Sequence, residues 1–253
     1  MPLIRQSHAK LMERLYYDIH LHSCLSPCSD NDMTPNNIIN MAVLKELDVI
    51  ALTDHNSCKN CPAFVRAAEN SGIIVIPGME LCTSEEIHAV CLFYDLESAM
   101  EFDSYVYKRC PDIINNTEAY GEQNIVDEND NLIGIEKKLL VTASEISIMD
   151  ISELMKRFNG VCFPAHIDKN SYSILAMLGD IPAECGFCAA EIAKPQKYDN
   201  LKALYPQLGS MNITTSSDAH YLWDISERYY HLVCKERTAS SFLDAIKSFN
   251  EKI

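Results

Sequence analysis

The sequence contains no apolar run that approaches the length of a membrane-spanning helix. Such a helix needs ~20 consecutive apolar residues, and the apolar runs here are much shorter. The first residues also lack the apolar segment of a secretory signal peptide. We therefore expect no membrane partner and a cytoplasmic location.

Positive charge is also scarce. The chain carries 21 Lys and Arg against 36 Asp and Glu, which gives a net charge of −15. A protein that binds long nucleic acid usually presents a basic stripe to the phosphates. No such stripe is visible, so we do not expect long nucleic acid as a partner. Because metal ions can supply positive charge locally, the balance favours a small phosphorylated substrate; the sequence gives no indication of oligomeric state.

A disulfide framework is absent, although cysteines are numerous. Their number, 11, is odd and several lie inside apolar runs, which is typical of a reducing compartment. Cys58–Cys61 and Cys185–Cys188 have the C-x-x-C spacing of zinc or redox sites. We expect free, packed thiols at both pairs. If either pair has a zinc or redox role, Cys58 and Cys61 are the better candidates. They lie just past His55, near the expected mouth of the site.

What the sequence does contain is an alternation of apolar strands and helices. We predict strands over 17–22, 48–55, 73–80, 87–94, 160–166, 186–192, 212–217 and 229–235, and helices over 35–47 (with Thr34 as N-cap), 63–71, 96–109, 151–158 and 239–249. Strands that are apolar throughout favour a parallel sheet covered by helices. Polar residues gather at the strand carboxyl ends, where α/β barrels build active sites. We expect one α/β barrel domain spanning 1–253.

Residues 96–145 interrupt this alternation. The helix over 96–109 is followed by a polar piece, 115–131, with the hairpin signal Glu-Asn-Asp-Asn at 128–131. We interpret 96–145 as an insertion or cap. Whether it covers the site as a lid or only decorates the surface stays open.

The placement of histidines indicates a metal site. His20 and His22 alternate along one strand and therefore point to the same face, where both can bind one ion. Of 8 histidines, six lie at or beside predicted strands: His20, His22, His55, His88, His166 and His220. Carboxylates share these positions at Asp54, Glu80 and Asp218, and Asp30 lies in the first loop. Mixed ligands of this kind predict two to three Zn, Mn or Fe ions. His8 and His231 match no motif and are expected to be surface or packing residues.

Read in order, these residues form a recognisable series: Asp18-Ile-His20-Leu-His22-Ser, Leu52-Thr-Asp54-His55, Pro77-Gly-Met-Glu80, His88, Pro164-Ala-His166 and Ser217-Asp218-Ala-His220. The series resembles the motifs of the polymerase and histidinol phosphatase (PHP) family over residues 16–221. The resemblance implies a distorted (β/α)7 barrel with three metal ions at its C-terminal face. It assigns the first ion to His20, His22, Glu80 and Asp218. It assigns a second ion, bridged by Glu80, to His88 and His166, and a third to Asp30, His55 and His220.

The sequence departs from the family pattern at two places. The loop after His22 is three residues longer than the usual one, so that Asp30 and Asp32 compete for the same ligand position. Phosphatase members often carry an arginine shortly after the histidine that corresponds to His166, whereas this chain has Lys169, a point charge without the fork geometry.

Three residues are candidates for roles in catalysis: Asp54, His220 and Lys169. Asp54 would orient a ligand such as His22 or His55, or would only cap a turn. Glu191, also at a predicted strand end, is expected to be an ordinary carboxylate at the edge of the core.

The resemblance and the ligand set together predict a metal-dependent phosphoesterase that hydrolyses a phosphomonoester or a short nucleotide. A water molecule shared by two ions loses its proton near neutral pH and acts as the nucleophile. Three alternatives stay open: an exonuclease or phosphodiesterase, an amidohydrolase-type enzyme, and a non-catalytic metal-binding regulatory module. Amidohydrolases usually bridge their metals with a strand-end lysine, where this chain has Glu80, and a regulatory module would lack ligands that are present here.

Overall fold

The computed structural model describes residues 12–248, and this part of the chain forms ten strands, eight α-helices and four short 3-10 helices. The strands are β1 (Glu13–Leu21), β2 (Val49–Leu52), β3 (Ile74–Cys82), β4 (His88–Phe93), β5 (Asn124–Val126), β6 (Leu132–Ile135), β7 (Gly160–Pro164), β8 (Ala189–Glu191), β9 (Asn212–Thr214) and β10 (His231–Cys234). The helices are α1 (Pro35–Leu44), α2 (Cys61–Ala67), α3 (Leu96–Tyr107), α4 (Thr117–Tyr120), α5 (Ile151–Arg157), α6 (Ile174–Leu178), α7 (Tyr198–Leu204) and α8 (Ala239–Lys247).

The central sheet is mixed, so the prediction of a parallel sheet was wrong for two of its strands. The strand order is β10-β1-β2-β3-β4-β7, in which β1, β2 and β3 run parallel. β4 is antiparallel to both of its neighbours, and β10 is antiparallel to β1. A parallel crossover needs a dozen or more residues, whereas only residues 83–87 separate β3 from β4. The chain must therefore reverse there, and this reversal brings the first residue of β4 to the carboxyl end of β3.

Strands β8 and β9 close the sheet into a barrel. They pair with each other in parallel. Next to β7, the Ile167 N–H donates to the Glu191 carbonyl at 2.9 Å. Next to β1, the His22 N–H donates to the Ala219 carbonyl at 3.0 Å, and Leu21 and Ala219 form a parallel bridge. Seven strands thus form a ring: β1, β2, β3, β4, β7, β8 and β9. The hydrogen-bond ladder is incomplete at two junctions, between β7 and β8 and between β9 and β1. This arrangement confirms the distorted (β/α)7 barrel.

The barrel strands bury both faces. In β2, Val49 and Ala51 belong to one buried cluster with Phe242 of α8, while Ile50 and Leu52 belong to another cluster with the outer helices. Each buried Val, Ile, Leu or Phe side chain among them contributes roughly 1.5–3 kcal/mol by leaving water. Because α8 covers the amino ends of the parallel strands, the opposite edge stays open for the polar residues.

Helix α1 shows how local chemistry sets the element boundaries. Thr34 precedes it in an extended conformation and Pro35 occupies its first turn, as predicted. Thr34 occupies the N-cap position, as predicted, although its side chain makes no cap hydrogen bond. The helix ends at Leu44, earlier than predicted, because Glu46 adopts a left-handed φ of 55°. Leu47 is then buried as the chain enters β2.

The segment that follows α3 lies against loops that carry candidate site residues. Its antiparallel β5–β6 hairpin confirms the predicted hairpin. The Asn124 N–H donates to the Cys24 carbonyl at 2.8 Å, in the loop after β1. The Asn56 side chain, in the turn after β2, donates to the Leu140 carbonyl at 2.7 Å. The assignment of 96–145 as an insertion or cap stays a prediction.

Candidate metal centre

The candidate site lies at the open edge of the barrel. At this edge the amino end of β4 meets the carboxyl ends of the other barrel strands, which are β1, β2, β3, β7, β8 and β9. The register between β1 and β2 shifts between Asp18 and Leu21, the segment that contains His20, and irregularities of this kind can re-aim side chains beside active sites. The structure brings together eight of the nine side chains expected to bind metal: His20, His22, His55, Glu80, His88, His166, Asp218 and His220.

The buried Glu80 carboxylate is the centre of this cluster. Histidine nitrogens surround it at short distances: His88 Nδ1 at 2.9 Å, His55 Nδ1 at 3.0 Å, His20 Nε2 at 3.1 Å, His166 Nε2 at 3.2 Å and His22 Nε2 at 3.4 Å. Asp218 Oδ1 lies 3.2 Å from His22 Nε2 and 3.5 Å from His20 Nε2. One carboxylate in reach of five imidazoles matches the bridging role that the family resemblance assigns to Glu80.

The ligand atoms fall into three overlapping sets, each compact enough to surround one ion. Within each set, every ligand atom lies within 4.8 Å of the others. The sets are His20, His22, Glu80 and Asp218; His55, Glu80 and His88; and His22, His55 and His220. Imidazole and carboxylate together suit Zn, Mn or Fe.

Unpartnered buried nitrogens support the fit of a cation. His20 Nε2, His22 Nε2 and His55 Nδ1 are inaccessible to solvent and make no hydrogen bond. Carboxylate oxygens lie 3.0 to 3.4 Å from them. An unsatisfied buried polar atom costs about 1–3 kcal/mol, so three in one cluster require an explanation. Coordination to metal ions would satisfy all three.

The electrostatics of the cluster show how strongly its members depend on one another. Burial disfavours a charged imidazole, yet Asp218 and Glu80 raise the pKa of His22 to about 9. Burial likewise opposes ionisation of Glu80, but the charges of His88, His20 and His55 hold its pKa well below the usual range. Imidazoles bind a metal ion in their neutral form. Divalent cations could then supply the positive charge that compensates Glu80 and Asp218 in place of protonated histidines.

His220 lies at the outer side of the cluster. Burial and the neighbouring charge of His22 lower the pKa of His220 to about 4. Its ring stacks on that of His22, with centroids 4.3 Å apart. His220 is therefore neutral at pH 7, and a ring nitrogen can offer its lone pair to a metal ion.

Two predicted ligands, His166 and Asp30, belong to none of these sets. His166 still contacts Glu80 at 3.2 Å, whereas the side chain of Asp30 lies apart. Its backbone N–H donates to the His220 carbonyl at 3.0 Å, which holds the loop beside the site. Its exposed carboxylate instead accepts a hydrogen bond from the Asp32 N–H at 2.8 Å. Asp32 is also exposed and belongs to none of the three sets. The choice between Asp30 and Asp32 as a ligand stays a prediction.

Asp54 lies beneath the site and acts on it through a hydroxyl group. Its carboxylate accepts hydrogen bonds from the Ser23 and Ser26 hydroxyls at 2.6 and 2.7 Å. The Ser26 Oγ lies 3.0 Å from His22 Nδ1. These hydrogen bonds connect Asp54 to the His22 ring through Ser26, and Asp54 also accepts the Ser23 N–H at 2.7 Å. The choice between an orienting role and a turn cap for Asp54 stays a prediction. Sequence reasoning missed Ser26 because loop residues follow no periodic pattern.

Glu191 is not the ordinary core-edge carboxylate that we expected. It is buried, and both of its oxygens lie 3.1 Å from His20 Nδ1. Its Oε1 also accepts the His166 N–H at 3.0 Å. A carboxylate on the far nitrogen fixes the tautomer of a metal-binding imidazole and raises its basicity. Glu191 thus lies where it can position the His20 ring, and its place at a strand end was the available signal.

Substituting Glu191→Gln is expected to weaken metal binding about 10–100-fold. The neutral amide removes the charge that supports the His20 imidazole but preserves the side-chain shape. Competition titration against a chelating dye measures the change. The exposed Glu184→Gln variant is the matched control and should bind metal like the original protein. Equal affinities for both variants would refute the positioning role.

The cluster opens to solvent through a cleft of about 190 Å³. Among the described residues that line it, Lys169 is the only lysine or arginine. Its Nζ forms an ion pair with Asp218 Oδ2. Burial opposes the charge, but Asp218 raises the pKa of Lys169, so that it stays charged. Ser171 and Tyr172 complete this side of the cleft.

The remaining predictions concern cysteines and two histidines. All eleven cysteines lie within residues 12–248 and are free thiols, as expected. Cys58 and Cys61 are buried in the core with their sulfur atoms against the Gly78 carbonyl, so their expected position near the site mouth was wrong. His231 is exposed on β10 and packs against Tyr16, as expected. His8 lies outside the described residues.

The family model of the PHP domain matches residues 18–249. This range is most of the chain, so the chain belongs to the PHP domain family, and the family resemblance is confirmed. The barrel and the cluster at its open edge thus define the class of protein: a PHP domain with a candidate metal centre.

Individual relatives add further detail. The 5′-3′ exoribonuclease Rnm of Salmonella typhimurium is 34% identical over 85 residues, which are 32% of this chain and 28% of that protein. The chain thus matches less than a third of the relative's length. The lesion-specific endonuclease PfuEndoQ from Pyrococcus furiosus superposes with a TM-score of 0.61 at 18% identity, over 94% of this chain and 57% of that one. An amidohydrolase from Chromobacterium violaceum gives a TM-score of 0.57 at 20% identity, over 85% of this chain and 91% of the other. At these identities the two structures show a shared fold alone.

Within residues 12–248, no helix has the length and apolar character that crossing a membrane requires.

Proposed function

We propose that the chain hydrolyses a small phosphorylated substrate, a phosphomonoester or a short nucleotide, with two to three Zn, Mn or Fe ions. The observation that carries this proposal is the arrangement of five imidazoles around Glu80 at the base of a cleft. The cleft volume of about 190 Å³ suits a phosphoryl group and a small attached group. The acidic charge of the chain supports a substrate of this size rather than a long polyanion.

Each part of the site has a distinct role in this proposal. Bound divalent ions lower the pKa of water and neutralise charge on phosphoryl oxygens. Glu80 bridges two ligand sets, while Glu191 and Ser26 hold His20 and His22 in orientation. Lys169, at the rim, offers its ammonium group to a phosphoryl oxygen as a point charge.

A second candidate is a 5′-3′ exonuclease acting on RNA. The observation that favours it is the 34% identity to the Salmonella exoribonuclease. This relative argues against our expectation that long nucleic acid is not a partner, because an exonuclease needs only the end of its substrate in the cleft. The same ions cleave monoesters and diesters, so the two candidates share one site.

A substrate screen separates these candidates. Purified protein loaded with Mn, Fe or Zn is tested on phosphomonoesters, mononucleotides, and 5′-phosphorylated single-stranded RNA and DNA. Phosphate release from the small substrates supports the leading proposal, and stepwise release of nucleotides supports the exonuclease. If none of the metals supports hydrolysis, the regulatory metal-binding module is the better interpretation. A cytoplasmic location stays a prediction.

A further inference from the structure

One aromatic side chain in the cleft has no role in the metal cluster. Tyr172 lines the cleft and is 44% exposed. One face of its ring lies on the imidazole of His88, with centroids 4.7 Å apart and planes inclined by 23°. Since His88 covers one face, the exposed part of the ring is its other face and edge. A flat apolar surface therefore borders the cleft directly beside a candidate metal ligand.

The surrounding backbone holds Tyr172 in this position. Its carbonyl accepts the His88 N–H at 2.9 Å, which ties it to the first residue of β4. The Ser173 hydroxyl donates to the Lys169 carbonyl at 2.7 Å and closes the loop on the other side. Tyr172 itself has a φ of 54°, a conformation that bulky residues rarely adopt. Backbone strain of this kind persists where neighbouring contacts fix a residue in place.

We propose that Tyr172 is a specificity-determining residue that stacks on the nucleobase adjacent to the scissile phosphate. The proposal rests on the proposed phosphoesterase function and narrows its substrate class to nucleotides. Every nucleobase presents a flat π face, so stacking on one tyrosine recognises a base without selecting its sequence. A sugar phosphate offers no such face. With a base on Tyr172, the charged group of Lys169 lies in the same cleft to receive the phosphate.

The test compares two ligands that differ only in the base. Binding of adenosine 5′-monophosphate and of ribose 5-phosphate to the metal-loaded protein is measured by calorimetry. We expect the nucleotide to bind about ten-fold more tightly, because base stacking on an aromatic ring provides an effect of this size. Tyr172→Leu, which keeps apolar volume but lacks a π face, should abolish the preference. Tyr172→Phe should keep it, and so should Tyr229→Leu, a control at an exposed tyrosine outside the cleft.

The outcomes are distinct from those of the proposed function. Equal binding of the two ligands, or a preference that survives in Tyr172→Leu, overturns the stacking role. Weaker binding of ribose 5-phosphate in Tyr172→Leu also overturns it, since that result indicates a structural role. Absence of hydrolysis with an intact preference for the nucleotide refutes only the phosphoesterase function. Binding of a 5′-phosphorylated oligoadenylate shows whether the base belongs to an RNA end or to a free nucleotide. Tighter binding than that of the mononucleotide indicates an RNA end. Equal binding indicates a free nucleotide.

Discussion

Replacing Glu80 with glutamine is expected to lower kcat/KM for metal-dependent hydrolysis by at least about 10³-fold. The substitution keeps the shape of the side chain but removes the one carboxylate that, within residues 12–248, lies within reach of all five imidazoles. An amide is a poor ligand for Zn, Mn or Fe compared with a carboxylate. Metal content, measured by plasma mass spectrometry on dialysed protein, should fall together with activity.

The same substitution also tests the electrostatics of the apo cluster. Because the pKa of Glu80 is held well below its usual range, this carboxylate is ionised in the fold at neutral pH and stabilises protonated histidines. Losing one member of a buried pair costs roughly 3–5 kcal/mol, so the free energy of unfolding of metal-free protein should fall by about that amount. Urea denaturation measures it. Glu153→Gln, at an exposed ion pair with Lys156, should change neither activity nor stability. Full metal content in Glu80→Gln would contradict the bridging role.

Removing the metal ions is expected to abolish hydrolysis and to lower the Tm. Ions that bind only the folded chain stabilise it by about 2.7 kcal/mol at a free concentration of 100 times Kd. For a domain of this size that corresponds to about 5–10 °C. Scanning fluorimetry and phosphate release are measured after treatment with a chelator, and again after Mn, Fe or Zn is restored in turn.

The two glutamine variants described above serve as controls for this experiment. Glu80→Gln should show no metal-dependent rise in Tm, whereas Glu153→Gln should show the full rise. A chelated protein that keeps its Tm and its activity would exclude a role for metal in both stability and catalysis. The ion that restores both properties at the lowest concentration identifies the preferred metal.

Strand-end polarity allowed most of the site to be predicted from the sequence. His20, His22, His55 and Glu80 each follow or end an apolar strand, and parallel neighbours bring such residues to one edge. This inference needs only the two-residue period of a strand and the direction of its neighbours. It therefore identified candidate ligands without knowledge of the loops between them.

The remaining features depend on geometry that no local pattern encodes. His88 reaches the site because β4 reverses, and the signal for this was the short connection 83–87. Glu191 meets His20 only because β8 and β9 close the barrel. The carboxylate of Asp30 is directed by a lengthened loop, and the left-handed backbone of Tyr172 opposes the usual preference of its residue type.

The way in which the barrel closes gives the metal centre a mechanical role. Between β1 and β9 the ladder is incomplete, with the Leu21–Ala219 bridge at its end. His22 lies on one side of this junction, and Asp218 and His220 lie on the other. Ions bound by residues on both sides would connect the two strands across this junction. The stability of the junction against local opening would then depend on metal occupancy. Metal binding and the closure of the β1–β9 pair would therefore be coupled.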